Sequence, residues 1–264
     1  MKARVNGIQF GYTDTGKGTP VLLVHGYPLN RSMWDAQVSE LSREFRVIAP
    51  DLRGHGESDT PTGTYTMEAI ADDLNALLDH LKVDKAVVVG FSMGGYASFA
   101  FYRKYPNKVR ALVLADTRPQ ADAPEAKQGR ENTAQTVLKD GVAGVAAATA
   151  PRMLAPATVQ GRADVVERVK AIMASTSVNG YVGDLRGLAA RQDSTDTLAK
   201  INVPTLVVVG EQDVVTPVAD SEMMAKAIKG AKLVKVPNAG HLSPLEQPAE
   251  FNKALVGFLR SLPK

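Results

Sequence analysis

Short apolar runs alternate with amphipathic segments along most of this chain. The runs are rich in β-branched residues and bounded by Gly, Pro or polar residues, a pattern typical of buried parallel strands. Between them, apolar residues recur at spacings of three and four, most clearly over 67–81, which predicts helices. Alternating strands and helices predict a mostly parallel sheet with right-handed crossovers and helices on its faces. The predicted inner strands are 20–24, 46–50, 85–89, 109–114, 203–209 and 231–236.

The two ends of the chain complete this picture. Ala3–Val5 and Ile8–Tyr12 read as short strands, and the Asn-Gly pair at positions 6 and 7 between them is a strong hairpin signal. Three further helices are predicted in the strand–helix alternation, at 32–41, 96–105 and 248–262.

The alternation stops between residues 118 and 197. This stretch contains no convincing strand, and its helical pieces lie near 126–138, 142–148 and 164–174. An insertion of this length needs structure of its own. We therefore predict a core domain formed by 1–117 and 198–264, with residues 118–197 as a helical cap inserted in it; these residues are called the cap segment below.

Composition narrows the class of protein. The 264 residues are 44% hydrophobic and 22% charged, with a net charge of +3 and no cysteine. Scattered Lys and Arg give no nucleic-acid footprint, and the lack of cysteine excludes disulfides and thiolate metal sites. No apolar run approaches the length of a membrane span. The first ten residues lack a signal peptide's apolar core, so we expect a cytoplasmic protein without a metal, a cofactor or a membrane partner.

The candidate nucleophile is Ser92. It lies in Gly90–Gly94, a Gly-x-Ser-x-Gly motif between the strand that ends at Val89 and the helix predicted from Tyr96. This is the context of a nucleophile elbow, a turn tight enough to need glycine on both sides of the serine. The turn also brings the serine close to a helix N-terminus, whose N–H groups favour a developing anion.

A serine hydroxyl needs a base and a carboxylate to orient that base. Position at a strand end favours His25 and His241 as the base, and the chain order of this elbow class favours His241. Asp213 and Asp116 both follow strands and are both candidates for the acid, with Asp213 favoured. Of the other histidines, His80 is expected to be solvent-exposed, and His55 is expected to be either structural or near the site.

The oxyanion hole is predicted from two backbone amides. One is Met93, which follows the nucleophile, and the other is Tyr27, in the loop after an early strand. Met153, Leu154 and Tyr181 in the cap segment are candidate substrate contacts. The side chains of Tyr27 and Pro28 are candidates as well, and an apolar pocket lining would suit short acyl or aryl esters.

Five motifs in order make the chain resemble the α/β-hydrolase fold over nearly its whole length. They are His25-Gly26, the Asp51–Ser58 loop, Gly90–Gly94, Gly210-x-x-Asp213 and Gly240-His241. With serine at the elbow, the chain is most similar to the arylesterase, enol-lactonase and cofactor-free haloperoxidase group.

The resemblance implies a hydrolase that acts on a small carboxylic ester or lactone through an acyl-enzyme. A lactonase is the close alternative, and a non-catalytic ligand receptor of the same fold is a third. In haloperoxidase-type members a proline at the position of Pro28 accompanies attack by hydrogen peroxide, which implies perhydrolysis as a side activity.

Overall fold

The structure is a computed structural model that describes residues 1–263. It contains one sheet of eight strands in the order β1-β2-β4-β3-β5-β6-β7-β8. β1 and β2 form the antiparallel hairpin that Asn6-Gly7 predicts, and β2 pairs antiparallel with β4. The other pairs are parallel. The strands are β1 Lys2–Val5, β2 Ile8–Thr15, β3 Pro20–Val24, β4 Arg46–Pro50, β5 Ala86–Phe91, β6 Val109–Ala115, β7 Thr205–Gly210 and β8 Lys232–Val236.

Helices flank the sheet and fill the insertion. Five belong to the core: α1 Asp35–Leu41, α2 Met67–His80, α3 Met93–Lys104, α10 Val218–Ala227 and α12 Pro248–Arg260. A one-turn helix, α11 Ser243–Glu246, precedes the last of them. The cap segment holds α4 Pro124–Asp140, α5 Val142–Thr149, α6 Pro156–Gly161, α7 Ala163–Ala174, α8 Val178–Ala190 and α9 Thr195–Leu198.

The alternation of side chains along each strand divides the core into two layers. Val21 and Leu23 pack into the layer that contains residues of α1 and α12, whereas Leu22 and Val24 pack into the layer that contains residues of α2, α3 and α10. This is the period of two expected for a sheet covered on both faces. It explains why the inner strands read as continuous apolar runs.

The parallel strands all end at one edge of the sheet, where loops can gather side chains from distant parts of the sequence. β3, β5, β6, β7 and β8 are consecutive in the sheet, and the loops after them carry the candidate chemistry. Within residues 1–263, no helix is both long and apolar enough to cross a membrane.

Candidate active site

The turn between β5 and α3 places Ser92 on a strained backbone. Ser92 has φ +51°, a conformation that L-residues rarely adopt, and its N–H donates to the Ala115 carbonyl at 2.9 Å. A Cβ on Gly90 would lie 2.4 Å from the Gly94 carbonyl oxygen, and one on Gly94 would lie 2.3 Å from that of Val24. The motif therefore needs both glycines because backbone passes them too closely for any side chain.

His241 connects the serine to a carboxylate. Its Nε2 is 2.9 Å from Ser92 Oγ, and its Nδ1 is 2.8 Å from Asp213 Oδ2. The imidazole and the carboxylate are almost completely buried. The loop before the histidine is held by the cap segment, since the His241 N–H donates to the Met153 carbonyl at 2.9 Å.

Hydrogen bonds hold the Asp213 carboxylate in its charged form. Oδ1 accepts from the N–H groups of Val215 and Thr216 at 2.8 and 2.9 Å, and Oδ2 accepts from Thr216 Oγ1 at 2.6 Å. Burial disfavours the charge. The adjacent His241 and these donors outweigh it and lower the pKa of Asp213 below its ordinary value.

Asp116, the alternative acid, makes no bond to the imidazole. It is buried at the end of β6, where Oδ1 accepts from the Gly210 N–H at 2.8 Å and Oδ2 from Ser243 Oγ at 2.5 Å. Burial and the neighbouring Asp213 raise the pKa of Asp116 well above its ordinary value. Its contacts brace the loops on either side of the triad candidates.

Among residues 1–263, none of the other three histidines forms a hydrogen bond with Ser92. His80 is exposed at the end of α2. His25 and His55 are buried, with ring centroids 4.9 Å apart, and His55 Nε2 lies 3.0 Å from Asp184 Oδ2 in the cap segment.

The two residues predicted to supply the oxyanion hole are both part of the cavity wall. Tyr27 and Met93 both line the cavity that contains Ser92 and His241. Neither amide donates a hydrogen bond to another group among residues 1–263. The first N–H groups of a helix lack intrahelical partners, so the Met93 amide at the start of α3 is available to an anion.

The cavity has a volume of about 200 Å³ and contains some of the predicted substrate contacts. Tyr27 and Met153 line it. Leu154 and Tyr181 do not: Leu154 packs into the core layer beside α1 and α12, and Tyr181 packs edge-on against the Tyr27 ring at 5.4 Å. Pro28 is buried outside the lining, and its carbonyl accepts from Thr176 Oγ1 at 2.9 Å.

The lining also contains residues to which sequence reasoning gave no role. Beside apolar residues such as Met93 and Leu188, three arginines are part of it. The full lining is Tyr27, Ser92, Met93, Tyr96, Arg118, Arg130, Thr149, Arg152, Met153, Leu188, Val215 and His241. Arg118 comes three residues after the end of β6, so its position after a strand end was a usable signal. Nothing comparable marked the arginines on the helices of the cap segment.

Comparison with known proteins shows the family to which the chain belongs. The model of the α/β hydrolase fold family matches residues 19–248. The chain belongs to this family. A 3-oxoadipate enol-lactonase from Acinetobacter baylyi is 32% identical, over 96% of this chain and 94% of the relative. A bifunctional esterase/perhydrolase from Acinetobacter calcoaceticus is 30% identical, over 97% and 98%.

A solved structure of an esterase is also similar to this chain over its whole length. A thermophilic esterase from Thermogutta terrifontis, determined with malate bound, is 43% identical, covers both chains completely and superimposes with a TM-score of 0.98. The expected α/β-hydrolase fold and the expected hydrolase class are thereby confirmed.

Proposed function

We propose that the protein is a serine hydrolase that cleaves small carboxylic esters through an acyl-enzyme intermediate. The observation that carries the proposal is the continuous hydrogen-bonded path from Ser92 Oγ through the His241 ring to Asp213, with steps of 2.9 and 2.8 Å. These are hydrogen-bonding distances for a nucleophile, its base and the group that orients the base.

In the first half of the reaction, His241 Nε2 accepts the Ser92 proton as Oγ attacks the ester carbonyl carbon. The carbonyl oxygen becomes an oxyanion that the Tyr27 and Met93 amides stabilise. The loss of one such donor typically slows turnover by about 10²–10³-fold. His241 then gives its proton to the leaving alkoxide, the C–O bond breaks, and the acyl group stays on Ser92.

In the second half, water replaces the alcohol. His241 accepts a proton from water as the water oxygen attacks the acyl carbon, and then returns a proton to Ser92 Oγ. The carboxylic acid leaves and the resting state is restored. Asp213 keeps Nδ1–H of His241 oriented and stabilises the charged ring in both halves.

The test is a substrate panel with a nucleophile variant. Hydrolysis of 4-nitrophenyl esters of increasing acyl length, measured beside several lactones, should detect turnover of at least the short esters. Ser92→Ala should reduce it by about 10⁶-fold with an unchanged circular dichroism spectrum. His80→Ala is the matched control at an exposed histidine and should leave the rate near that of the wild type. Turnover of Ser92→Ala close to the wild-type rate would refute the proposal.

A lactonase is the second candidate, favoured by the 32% identity to a relative named as an enol-lactonase. The chemistry is the same except that the leaving alcohol remains attached to the acyl group. A kcat/KM for a lactone above that for every acyclic ester in the panel would make lactone hydrolysis the main activity.

Perhydrolysis is proposed as a side activity, supported by the relative that is named as an esterase/perhydrolase. Hydrogen peroxide would replace water in attacking the acyl-enzyme and yield a peracid. Pro28 restricts the backbone of the preceding oxyanion residue Tyr27. Peracid formation from an acetate ester should therefore fall relative to hydrolysis in Pro28→Leu, and an unchanged ratio would remove Pro28 from this role.

A further inference from the structure

Three arginines line the cavity that contains Ser92. Arg118, Arg130 and Arg152 line it together with Ser92 and His241, and no Asp or Glu is among the lining residues. Asp213 lies behind the imidazole, where His241 and the Thr216 loop occupy its oxygens. The charged side chains of the lining are therefore all cationic, apart from the titratable His241.

One carboxylate lies near these arginines, and it is already neutralised. Asp122 is fully buried as a side chain, and Arg191 Nη2 lies 2.8 Å from its Oδ1. Arg191 is also buried, stacks over the Tyr96 ring at 4.4 Å and donates to the carbonyls of Gln120 and Leu188. Arg191, which is not part of the cavity lining, thus already balances the negative charge of Asp122.

Two of the cavity arginines also lie near the Asp122 carboxylate. Arg130 forms an ion pair with it through Nε. Arg118 Nη2 is 3.8 Å from its Oδ1, beyond hydrogen-bond distance. Three positive charges, those of Arg191, Arg130 and Arg118, around one buried negative charge leave the site with excess positive potential.

Arg118 and Arg152 have unused donors. Within residues 1–263, neither side chain donates a hydrogen bond to a protein group; Arg118 Nε is buried without a partner, whereas Arg152 is exposed. No carboxylate in that range lies within ion-pair distance of Arg152. A guanidinium group carries five N–H donors in a planar fork, and a buried donor without a partner is costly.

From this arrangement we infer that the cavity holds a carboxylate-binding subsite, formed by Arg118 and Arg152 and supported by the charge of Arg130. The inference rests on the proposed ester hydrolysis and names its substrate class: a small ester or lactone that carries a free carboxylate away from the scissile bond. A planar carboxylate accepts two parallel N–H bonds from one guanidinium, which both binds and orients it. The volume of about 200 Å³ restricts the acid to a short chain.

The kinetic test compares substrates that differ only at the far end of the acyl chain. Monoethyl adipate and ethyl hexanoate have the same chain length, and the first has a carboxylate where the second has a methyl group. The wild-type kcat/KM should be higher for the adipate monoester by about tenfold at low salt, and high salt should reduce this preference. Arg118→Gln and Arg152→Gln should each remove most of it.

The control is Arg162→Gln, which makes the same charge change at an exposed ion pair with Asp164 in the cap segment. This variant should keep the preference for the monoester. Equal kcat/KM values for the two esters in the wild type would refute the carboxylate subsite while leaving ester hydrolysis established. A preference that survives Arg118→Gln and Arg152→Gln together would refute it as well.

A binding measurement separates this inference from the proposed reaction. Titration calorimetry with adipate should detect binding to the wild type and to Ser92→Ala, weakened by about fivefold or more in Arg118→Gln. If no ester is hydrolysed but adipate binds through Arg118, the reaction is wrong and the subsite stands. If adipate does not bind, the subsite is refuted whatever the esterase result.

Discussion

At the scale of single residues, Asp213 is held by more hydrogen bonds than orientation of one imidazole requires. Two backbone N–H groups and Thr216 Oγ1 donate to it in addition to His241. Asp213→Asn keeps the shape of the side chain but places an NH₂ group opposite at least one of these donors. The amide also cannot stabilise the charged His241 ring. We expect kcat to fall by about 10⁴-fold in ester hydrolysis assays.

Asp116→Asn is the matched control for that substitution. It makes the same chemical change at a buried carboxylate that contacts Gly210 and Ser243 but not the imidazole. Its turnover should fall far less than that of Asp213→Asn. The reverse ranking of the two variants would assign the acid to the loop after β6.

His25 is a buried residue whose two ring nitrogens have different partners. Nε2 accepts from the Leu52 N–H at 2.9 Å, and Nδ1 is 3.0 Å from the Gly26 carbonyl, to which it donates. Only the neutral ring can satisfy both contacts. Burial and then the neighbouring His55 lower the pKa of His25 well below its ordinary value.

Acid should therefore destabilise the fold through His25. An unfolded histidine takes up a proton near pH 6.5, whereas the folded ring stays neutral, so the unfolded state binds more protons below that pH. The free energy of unfolding should fall as pH decreases below about 6.5, by up to about 1.4 kcal/mol per pH unit from this group. Urea unfolding at pH 7, 6 and 5 measures the slope.

His25→Gln should flatten that slope relative to the wild type, because the glutamine amide oxygen accepts from Leu52 without titrating. His80→Gln replaces an exposed histidine and should leave the slope unchanged. A variant at position 25 with the wild-type slope would show that other groups set the acid sensitivity.

The sequence located the candidate triad because its members follow strands. Parallel strands end at a common edge, so Ser92, Asp213 and His241 could be placed together without coordinates. The arginines of the cavity could not be found in this way. Arg130 and Arg152 lie on helical segments, where the direction of a side chain depends on how the helix packs over the sheet. That packing is a tertiary property with no local signature.

At the scale of elements, the apolar strands were predicted closely and the polar helices less so. The predicted ranges 20–24 and 46–50 are those of β3 and β4. α3 begins at Met93 and not at Tyr96, because the elbow turn itself forms the first helical residues. Helices α8 and α10 were missed. α8 contains three glycines and α10 has no clear apolar stripe, so their helical form depends on packing more than on local pattern.

Glu246 joins the cap segment to the loop that carries the base. This buried carboxylate accepts from the Ala155 N–H at 2.8 Å and Thr158 Oγ1 at 2.7 Å through Oε2, and from the Gly240 N–H at 2.9 Å through Oε1. Burial raises the pKa of Glu246, and the three donors oppose the rise. The group therefore fixes Gly240, the neighbour of His241, against the insertion.

Glu246→Ala should affect both stability and turnover. It leaves two buried N–H groups unpaired, which should lower the free energy of unfolding by about 3 kcal/mol, measured by urea titration. Because it also frees the loop before His241, kcat should fall by about tenfold. Glu246→Gln, which keeps one acceptor oxygen, should have a free energy of unfolding and a kcat between those of the wild type and those of Glu246→Ala. Glu250→Ala, at an exposed site of α12, is the control, and an equal effect there would contradict this role.

At the scale of the whole molecule, the cap segment is connected to the core by buried polar contacts at separate places. His55 pairs with Asp184 at 3.0 Å, with both side chains completely buried. Thr176 Oγ1 donates to the Pro28 carbonyl at 2.9 Å, and the Tyr65 N–H donates to the Gly183 carbonyl at 2.9 Å. If the cap segment separated from the sheet, each of these buried polar groups would lose its hydrogen-bond or ion-pair partner.

We therefore expect the cap segment and the sheet to unfold together. Trp34 is the single tryptophan of the chain and is buried between Phe91 and Phe251 in the core, so its fluorescence reports the sheet layer. Far-ultraviolet circular dichroism reports all helices, including the six of the cap segment. Thermal unfolding curves from the two signals should coincide within error, as for one cooperative unit. A loss of helical signal before the Trp34 transition would show that the segment opens independently. In that case Asp184→Asn, which weakens one of the connections, should move the early transition to lower temperature and leave the Trp34 transition in place.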